Sequence, residues 1–308
     1  MIQPNDFKEK KIVVIDGFNQ SINDIKINNN NICLYREGKC IDRITCFSVI
    51  CLFIIGEATV TTKLISTCQQ YGISIFFLNQ SLKYYGEINS KAEGNYLLRQ
   101  KQYHLTDDKC LEISKKIIKN KITNQLQTIK SKKNINVDSC QNLNELLGVE
   151  GSSANNYFQT LFKDIGWYRR SPQTREDIPN FLLDIGYSFL FNYVDSILRI
   201  FGFDTYKGIY HQLFFQRKSL SCDLMEPMRV LIDRQIIKSY NLKQINEKDF
   251  GFKNGSFFFK KYEYSKKYRN IFLKAISDRK DDIYQYVYGF YRYMMNSQKY
   301  NFPNFKLC

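Results

Sequence analysis

His104 and His211 are the two histidines of the 308-residue chain, so any imidazole chemistry must use one of them. His211 opens the stretch "HQLFFQRKSLSCDLMEPMR", residues 211–229. Asp223 and Glu226 stand in its second half, and Arg217, Lys218, Ser219 and Ser221 lie between. Three residues apart, the two carboxylates would share one face of a helix. Pro227 has no backbone N–H to donate and tends to sit at a helix start or to force a bend. Paired carboxylates at such a place suit a hard cation. Magnesium and manganese take carboxylate oxygens, and manganese accepts an imidazole more readily. The same two acids could instead sit exposed in a first helical turn, where they favour the dipole. His211, among apolar and aromatic neighbours, reads on its own as a hydrogen-bonded core residue before it reads as a ligand.

Glu150, in "LLGVEGSSANNYF", raises the same question. On a helix it shares a face with Ala154, Tyr157 and Leu161. That face is otherwise small or apolar, so an ionised glutamate there needs a partner and is a functional-site candidate. The alternative is a glutamate at a helix N-terminus, satisfied by backbone N–H groups.

Other chemistries lack their residues. The chain has no G-x-x-x-x-G-K-[ST] and no G-x-G-x-x-G phosphate cradle, and no G-x-S-x-G elbow. Neither histidine has a nucleophile in a recognisable local setting. Nine cysteines are scattered; the cluster Cys33, Cys40, Cys46, Cys51 contains no C-x-x-C pair and therefore no zinc spacing. An odd count without a signal peptide predicts reduced, mostly buried thiols and a cytosolic protein. The run "CFSVICLFIIGEATV" is too short to span a bilayer and reads as a buried strand; no membrane partner is expected.

The elements that must position these residues fall into two parts. Short Ile- and Val-rich segments at 11–16, 22–28, 31–37 and 39–45, punctuated by Gly17, the Asn run 28–31 and Gly38, predict strands. "TTKLISTCQQYG" predicts a helix ended by Gly72, and "ISIFFLN" a further buried strand. From about residue 93 the pattern turns helical. Leu111, Ile118, Ile122, Leu126 and Ile129 recur on one stripe. Lys116, Lys119, Lys121 and Lys130 fall off it, as a solvated face or one that meets phosphate. Further helices are predicted around Glu150, over "NFLLDIGYSFLFNYVDSILRIFG", after Asp223 and over the tyrosine-crowded "DDIYQYVYGFYRYMM". The expected architecture is α+β: a small N-terminal β-sandwich-like domain (1–90) and a larger all-α C-terminal domain (91–308).

The charge follows this division. Residues 1–80 hold eight Lys/Arg and seven Asp/Glu, while residues 81–308 hold 37 and 23, so nearly all of the net +15 lies in the second part. A globular chain this basic usually meets a polyanion, and the second part should meet it.

Three motifs together resemble one family. "GVEGSSANNYF" (148–158), "GFDTYKGIYH" (202–211) and "RKSLSCDLMEPMRVLID" (217–233) are similar, in this order and at about these separations, to the signatures of the CRISPR adaptation integrase, CRISPR-associated protein number one. "GEATVTTKLISTCQQYGISIFFLNQSLKYYGEI" looks like the end of that family's N-terminal β domain, and "DIPNFLLDIGYSFL" resembles its Asn-containing helix. The likeness covers most of the chain from about residue 50. Phe191 stands where the family often has tyrosine, and residues 1–50 match poorly.

The resemblance implies a β-sandwich-like domain followed by a helical catalytic domain, and a site of Glu150, His211 and Glu226 holding Mg2+ or Mn2+. Asp223 would be a support or an alternate ligand. It implies attack of a protospacer 3′-hydroxyl on a phosphodiester at the edge of the CRISPR repeat. Arg217 and Lys218, with Arg169 and Arg170 of "YRRSPQTREDIPN", would contact DNA phosphates. The implied partners are double-stranded DNA, a second copy of the chain and a small second adaptation protein. The rival readings are a transposon-type or structure-specific DNA nuclease of the same family acting outside an array, and a non-catalytic nucleic-acid-binding module.

Overall fold

A computed structural model describes residues 10–17, 22, 24–79, 82, 84–90, 95–211 and 216–307. The chain divides into two compact units: residues up to Asn95 together with Asp195–Phe203, and Tyr96–Val194 together with Asp204 onward.

The first unit contains two four-stranded sheets. One has β1 (Lys11–Asp16), β5 (Val49–Ile55) and β7 (Ser74–Leu78) in parallel, with β8 (Tyr84–Ile88) antiparallel at the edge. The other orders β4 (Lys39–Thr45), β3 (Asn31–Arg36), β2 (Asp24–Asn28) and β6 (Thr59–Val60). All seven residues of β5 are buried, as a central strand covered on both faces requires. The Asn run is a two-residue hairpin: Asn29 and Asn30 both have positive φ, and Asn28 pairs with Asn31. Glu37 and Gly38 repeat that geometry between Arg36 and Lys39. Such turns match the strand twist and so fix register. Ile15, Ile25, Ile32, Leu52 and Ile75 meet in one core with Leu64 and Cys68 of α1 (Thr62–Gln70). Thr61 caps α1, and Gly72 ends it in the left-handed region, as the sequence predicts.

The second unit is mainly helical: α2 (Tyr96–Tyr103), α3 (Asp107–Thr128), α4 (Leu143–Leu161), most of α5 (Ile178–Ile200), α6 (Ser219–Met225), α7 (Val230–Asn241), α8 (Tyr262–Ser277) and α9 (Lys280–Met295). Residues 91–94, where the helical pattern begins, lie outside the described residues. α+β holds for the whole chain. The second unit is not purely α, however: β9 (Phe250–Lys253) and β10 (Ser256–Phe259) form a hairpin closed by Asn254 and Gly255, both at positive φ. Asn-Gly between apolar runs is a strong hairpin signal, overlooked in the helical reading of this half.

Two helices differ from their sequence pattern. α3 buries a face displaced from its predicted stripe: Leu111, Leu126 and Ile129 are only half-buried, whereas Ile113, Ile117, Asn120, Lys121, Asn124 and Gln125 are buried with Ile118 and Ile122. Asn120 exchanges hydrogen bonds with the backbone of Phe305 at 2.8 and 2.9 Å, and Asn124 donates to the carbonyls of Phe305 and Pro227. α5 is apolar and long enough to cross a bilayer by composition, yet 83% of its apolar stretch is buried in the fold. It also carries buried Asn180, Asn192 and Asp195, the mark of a core helix.

Candidate active site

The loop that carries His211 is held from two sides. Gln102 of α2 is fully buried, donates to the carbonyls of Asp204 and Lys207 at 2.7 and 2.8 Å, and accepts from Asp204 N–H. On the other side the loop presses on the start of α6: Leu220 N–H donates to Thr205 C=O. At Gly208 a Cβ would fall 2.5 Å from Ser219 Cβ and 2.7 Å from His211 C=O, so only glycine permits this approach.

The loop closes on the Asp223 carboxylate. Asp223 is fully buried. Its Oδ2 accepts from the N–H groups of Ile209 and Tyr210 at 2.7 and 3.0 Å, and its Oδ1 accepts from His211 N–H at 3.0 Å. Oδ1 also lies 2.5 Å from His211 Nδ1. A buried carboxylate costs several kcal/mol unless bonded, and each hydrogen bond to a charged group returns about 1.5–3 kcal/mol. With Nδ1 donating to Asp223, Nε2 is the nitrogen left to act. This is how a carboxylate orients a ligand histidine. Asp223 is thus placed behind the imidazole rather than beside Glu226.

Glu226 stands at the junction where α6 passes through a 3-10 turn (Glu226–Met228) into α7, with Pro227 inside the turn. Both acids are buried, so the exposed first-turn alternative does not hold. Glu150 lies in mid-α4; the N-cap role belongs to Asn142, and the first-turn acid is Glu145. The partner that Glu150 requires is Lys121. Its Nζ contacts Glu150 Oε1 and lies 2.6 Å from Glu226 Oε2. The side chains of Lys121, Glu226 and Glu150 are 8%, 5% and 16% exposed. Arg229 Nε approaches the same Glu226 oxygen at 3.0 Å. Burial pushes the Glu226 carboxyl up, but Arg229, Lys121 and then His211 outweigh it and hold it at about 2. For Lys121 burial acts downward, and Glu226 and Glu150 outweigh it, keeping the ammonium charged. The lysine placed by periodicity on an outer face is therefore inside the site.

A second layer braces these groups. Asp233 of α7 accepts from the hydroxyls of Tyr157 (α4) at 2.9 Å and of Tyr187 (α5), so one carboxylate joins three helices. The Tyr187 ring carries Arg229 at 4.7 Å on its face and Arg170 at 5.6 Å. Arg170 bonds Asp184 and Asn180 at 2.7 and 2.8 Å. Buried Asn180 also accepts from Ser171 N–H and donates to Arg169 C=O, which fixes the 169–171 loop. Arg169 itself is exposed and faces Glu176 at 3.3 Å.

These groups line a cleft of about 680 Å³ whose wall includes Lys121, Glu150, Arg169, Arg170, Asp184, Arg217, Glu226 and Arg229. Five cations against three carboxylates suit a phosphate backbone. Arg217 is exposed there, whereas Lys218 is buried at the start of α6 and does not line the cleft. His104 is exposed and is not part of this wall. His211 is not among the wall residues either, and its link to the cleft is electrostatic, as one of the charges that lower Glu226. Among the described residues no three His, Cys, Asp or Glu side chains enclose a metal position; Glu150 and Glu226 converge on Lys121 instead. Their donor set nonetheless fits a divalent cation. Two carboxylates meet at a point that already holds positive charge. The Tyr210 hydroxyl, its ring 5.1 Å from that of His211, is buried without a hydrogen-bond partner. Glu226 Oε2 likewise has charge contacts without aligned hydrogen bonds.

The fold and cleft define a class: a strand-rich unit followed by a helical unit that carries a carboxylate–histidine site lined with arginines. The profile of the family described as CRISPR associated protein Cas1 matches residues 19–278. The chain belongs to that family. It is similar to a CRISPR-associated endonuclease Cas1 of Thermodesulfovibrio yellowstonii, 28% identical over 74% of this chain and 80% of the relative. It is also similar to a CRISPR-associated protein Cas1 of Methanobrevibacter ruminantium, 29% identical over 79% and 82%. Its fold is shared with a Cas1 protein from Thermotoga maritima, TM-score 0.81 at 20% identity, covering 93% and 97% of the two chains. A casposase bound to integration product has TM-score 0.78 at 19% identity, covering 96% and 94%.

Sequence reasoning missed Lys121, Asp233 and Tyr187 as parts of the site. Lys121 has no signal in periodicity, since its burial depends on α4 and the 226–228 turn. Arg229 lies within a quoted motif, three residues after Glu226, the spacing that pairs side chains along a helix.

Proposed function

We propose that this chain is a divalent-metal-dependent DNA integrase and endonuclease of CRISPR adaptation, which joins a protospacer 3′-hydroxyl to a phosphodiester at the CRISPR repeat. The observation that carries this reading is the convergence of Glu150 and Glu226 on one cation position in an arginine-lined cleft, with His211 clamped by Asp223.

Glu150, Glu226 and His211 Nε2 are the donors that would hold Mg2+ or Mn2+, which when bound supplies charge stabilisation at the phosphoryl oxygens. Asp223 is the positioning residue: it orders the 209–211 backbone and the imidazole together. Arg217 and Arg170 neutralise backbone phosphates, and Arg169 extends that surface outward. Such contacts set register without reading bases. Lys218 is too deeply placed for that task and serves the α6 start. The proposed partners are double-stranded DNA, a second copy of the chain and a small second adaptation protein. A solved Cas6-RT-Cas1–Cas2 complex contains a region of this fold, TM-score 0.79. The proposed compartment is the cytosol.

The test is joining of a short duplex with free 3′ ends to a repeat-bearing plasmid in Mg2+ or Mn2+. Glu150→Ala and His211→Ala should each lower joining by ~100-fold or more, the usual scale for losing a group that stabilises transition-state charge. Wild-type rates in either variant would sink the proposal. Equal joining to plasmids with and without the repeat would favour the transposon-type reading instead.

A further inference from the structure

Lys121 lines the cleft and sits between the two proposed metal ligands Glu150 and Glu226, yet the proposed reaction gives it no role. It belongs to the central turns of α3, and its ammonium is the only charge that touches both Glu150 and Glu226 among the described residues. Its neighbours on the helix differ. Lys116 and Lys119 pair with Glu112 and Asp138 on the surface, where such pairs contribute little. Lys121 is buried and remains charged because of its two carboxylates.

We propose that Lys121 competes internally for the divalent-metal position and couples metal binding to DNA binding. This rests on the reading of the site given above. A divalent ion between Glu150 and Glu226 would meet the Lys121 ammonium at contact distance, and two like charges there repel strongly. One of them must leave. The helix backbone cannot carry the lysine away, because Asn120 and Asn124 are tied to Phe305 and Pro227. The side chain can, since four methylenes give an ammonium several positions from one anchor. Lys121 lines the cleft together with Arg170, Arg217 and Arg229, so a phosphate entering it offers the ammonium a new anionic partner. DNA would therefore draw Lys121 off the carboxylates and open them to metal. In the absence of DNA, Lys121 keeps the two acids compensated. By the reciprocity of linkage, metal should tighten DNA binding by the same factor.

The test measures free Mn2+ by electron paramagnetic resonance during titration of the full-length protein, with and without a short duplex bearing 3′-hydroxyl ends. Mn2+ bound by the duplex alone is subtracted. Without DNA, Lys121→Met should bind Mn2+ at least ~10-fold more tightly than wild type, a difference of about 1.4 kcal/mol. DNA should tighten wild-type binding by a similar factor and the variant by less than ~2-fold, as expected when the differential contact is gone. Lys121→Arg, which keeps the charge, should stay close to wild type. Binding by Lys121→Met no tighter than wild type, or equal tightening of both by DNA, overturns the proposal. If Lys121→Met does not fold by circular dichroism, the wild-type arm decides alone: no effect of DNA on Mn2+ affinity overturns it. Unchanged Mn2+ binding by Glu226→Ala would overturn the metal site itself, a different failure from a metal site without competition.

Discussion

At Glu226 and Asp233, seven residues apart, burial acts alike and the partners act differently. Burial pushes both carboxyls up. At Glu226 the charges of Arg229, Lys121 and His211 win and leave it at about 2. At Asp233 burial wins over the hydroxyls of Tyr187 and Tyr157 and over Arg229 and Arg170, and the carboxyl rises from 3.8 to about 6. The consequences for stability have opposite signs. Glu226 binds its proton less tightly in the fold, so its contribution is present above about 4.5 and is lost as pH falls toward 2. Asp233 binds its proton more tightly in the fold, so its contribution is full below about 4 and is lost as pH rises through about 6. The latter amounts to up to about 3 kcal/mol. Asp233→Asn, which cannot ionise, should remove that slope: in urea midpoints at pH 4, 5, 6 and 7 the wild type should lose ground to the variant as pH rises through about 6. A difference independent of pH would show that burial of Asp233 does not govern its proton.

At the scale of elements, the site depends on short segments packed against helices. The loop to His211 is set by Gln102 from α2, by the backbone of α6 and by Asp223, with Gly208 as the point of closest approach. Gly208→Ala should cost about 1–3 kcal/mol, the usual scale for overpacking. It should lower joining activity more than DNA affinity, since it shifts His211 and leaves the arginines in place. Chemical denaturation, filter binding and the joining assay on one preparation check the three parts. A fall in DNA affinity matching the fall in activity would show that the loop belongs to DNA binding. The Gly208 requirement was not legible beforehand. "GFDTYKGIYH" contains two glycines, Gly202 and Gly208, and the collision that Gly208 avoids is with Ser219, eleven residues on. The Asn run and Glu37-Gly38 were legible as turns, because a two-residue hairpin turn depends on its own residues. Asn254-Gly255 was equally legible and was overlooked because helical periodicity surrounds it.

For the whole molecule, the charge asymmetry sets the interaction with DNA. Nearly all of the excess positive charge lies in residues 81–308, and the cleft wall concentrates arginine there. Binding to a duplex should weaken steeply with salt, and Arg217→Ala should reduce the slope of log K against log salt by about 1. Lys218→Ala should leave the slope unchanged, since Lys218 is buried away from the cleft. Fluorescence anisotropy between 50 and 300 mM salt, roughly the range where counterion release dominates, measures both. A slope change for Lys218→Ala as large as that for Arg217→Ala would contradict this assignment.

The sequence by itself determined the two-part organisation, the α+β class, the family likeness and the gathering of charge in the helical part. It also showed that Glu150 needed a partner. Each of these depends on local periodicity, on composition or on a burial argument within one helix. Only the tertiary structure decided what that partner is, which acid braces His211 and which faces the cleft, and that Lys121 lies inside while Lys116 and Lys119 stay at the surface. These are questions of which helices meet and at what angle. A lysine on α3 and glutamates on α4 and at the α6–α7 junction carry no mark of their contact until packing brings three separate segments together.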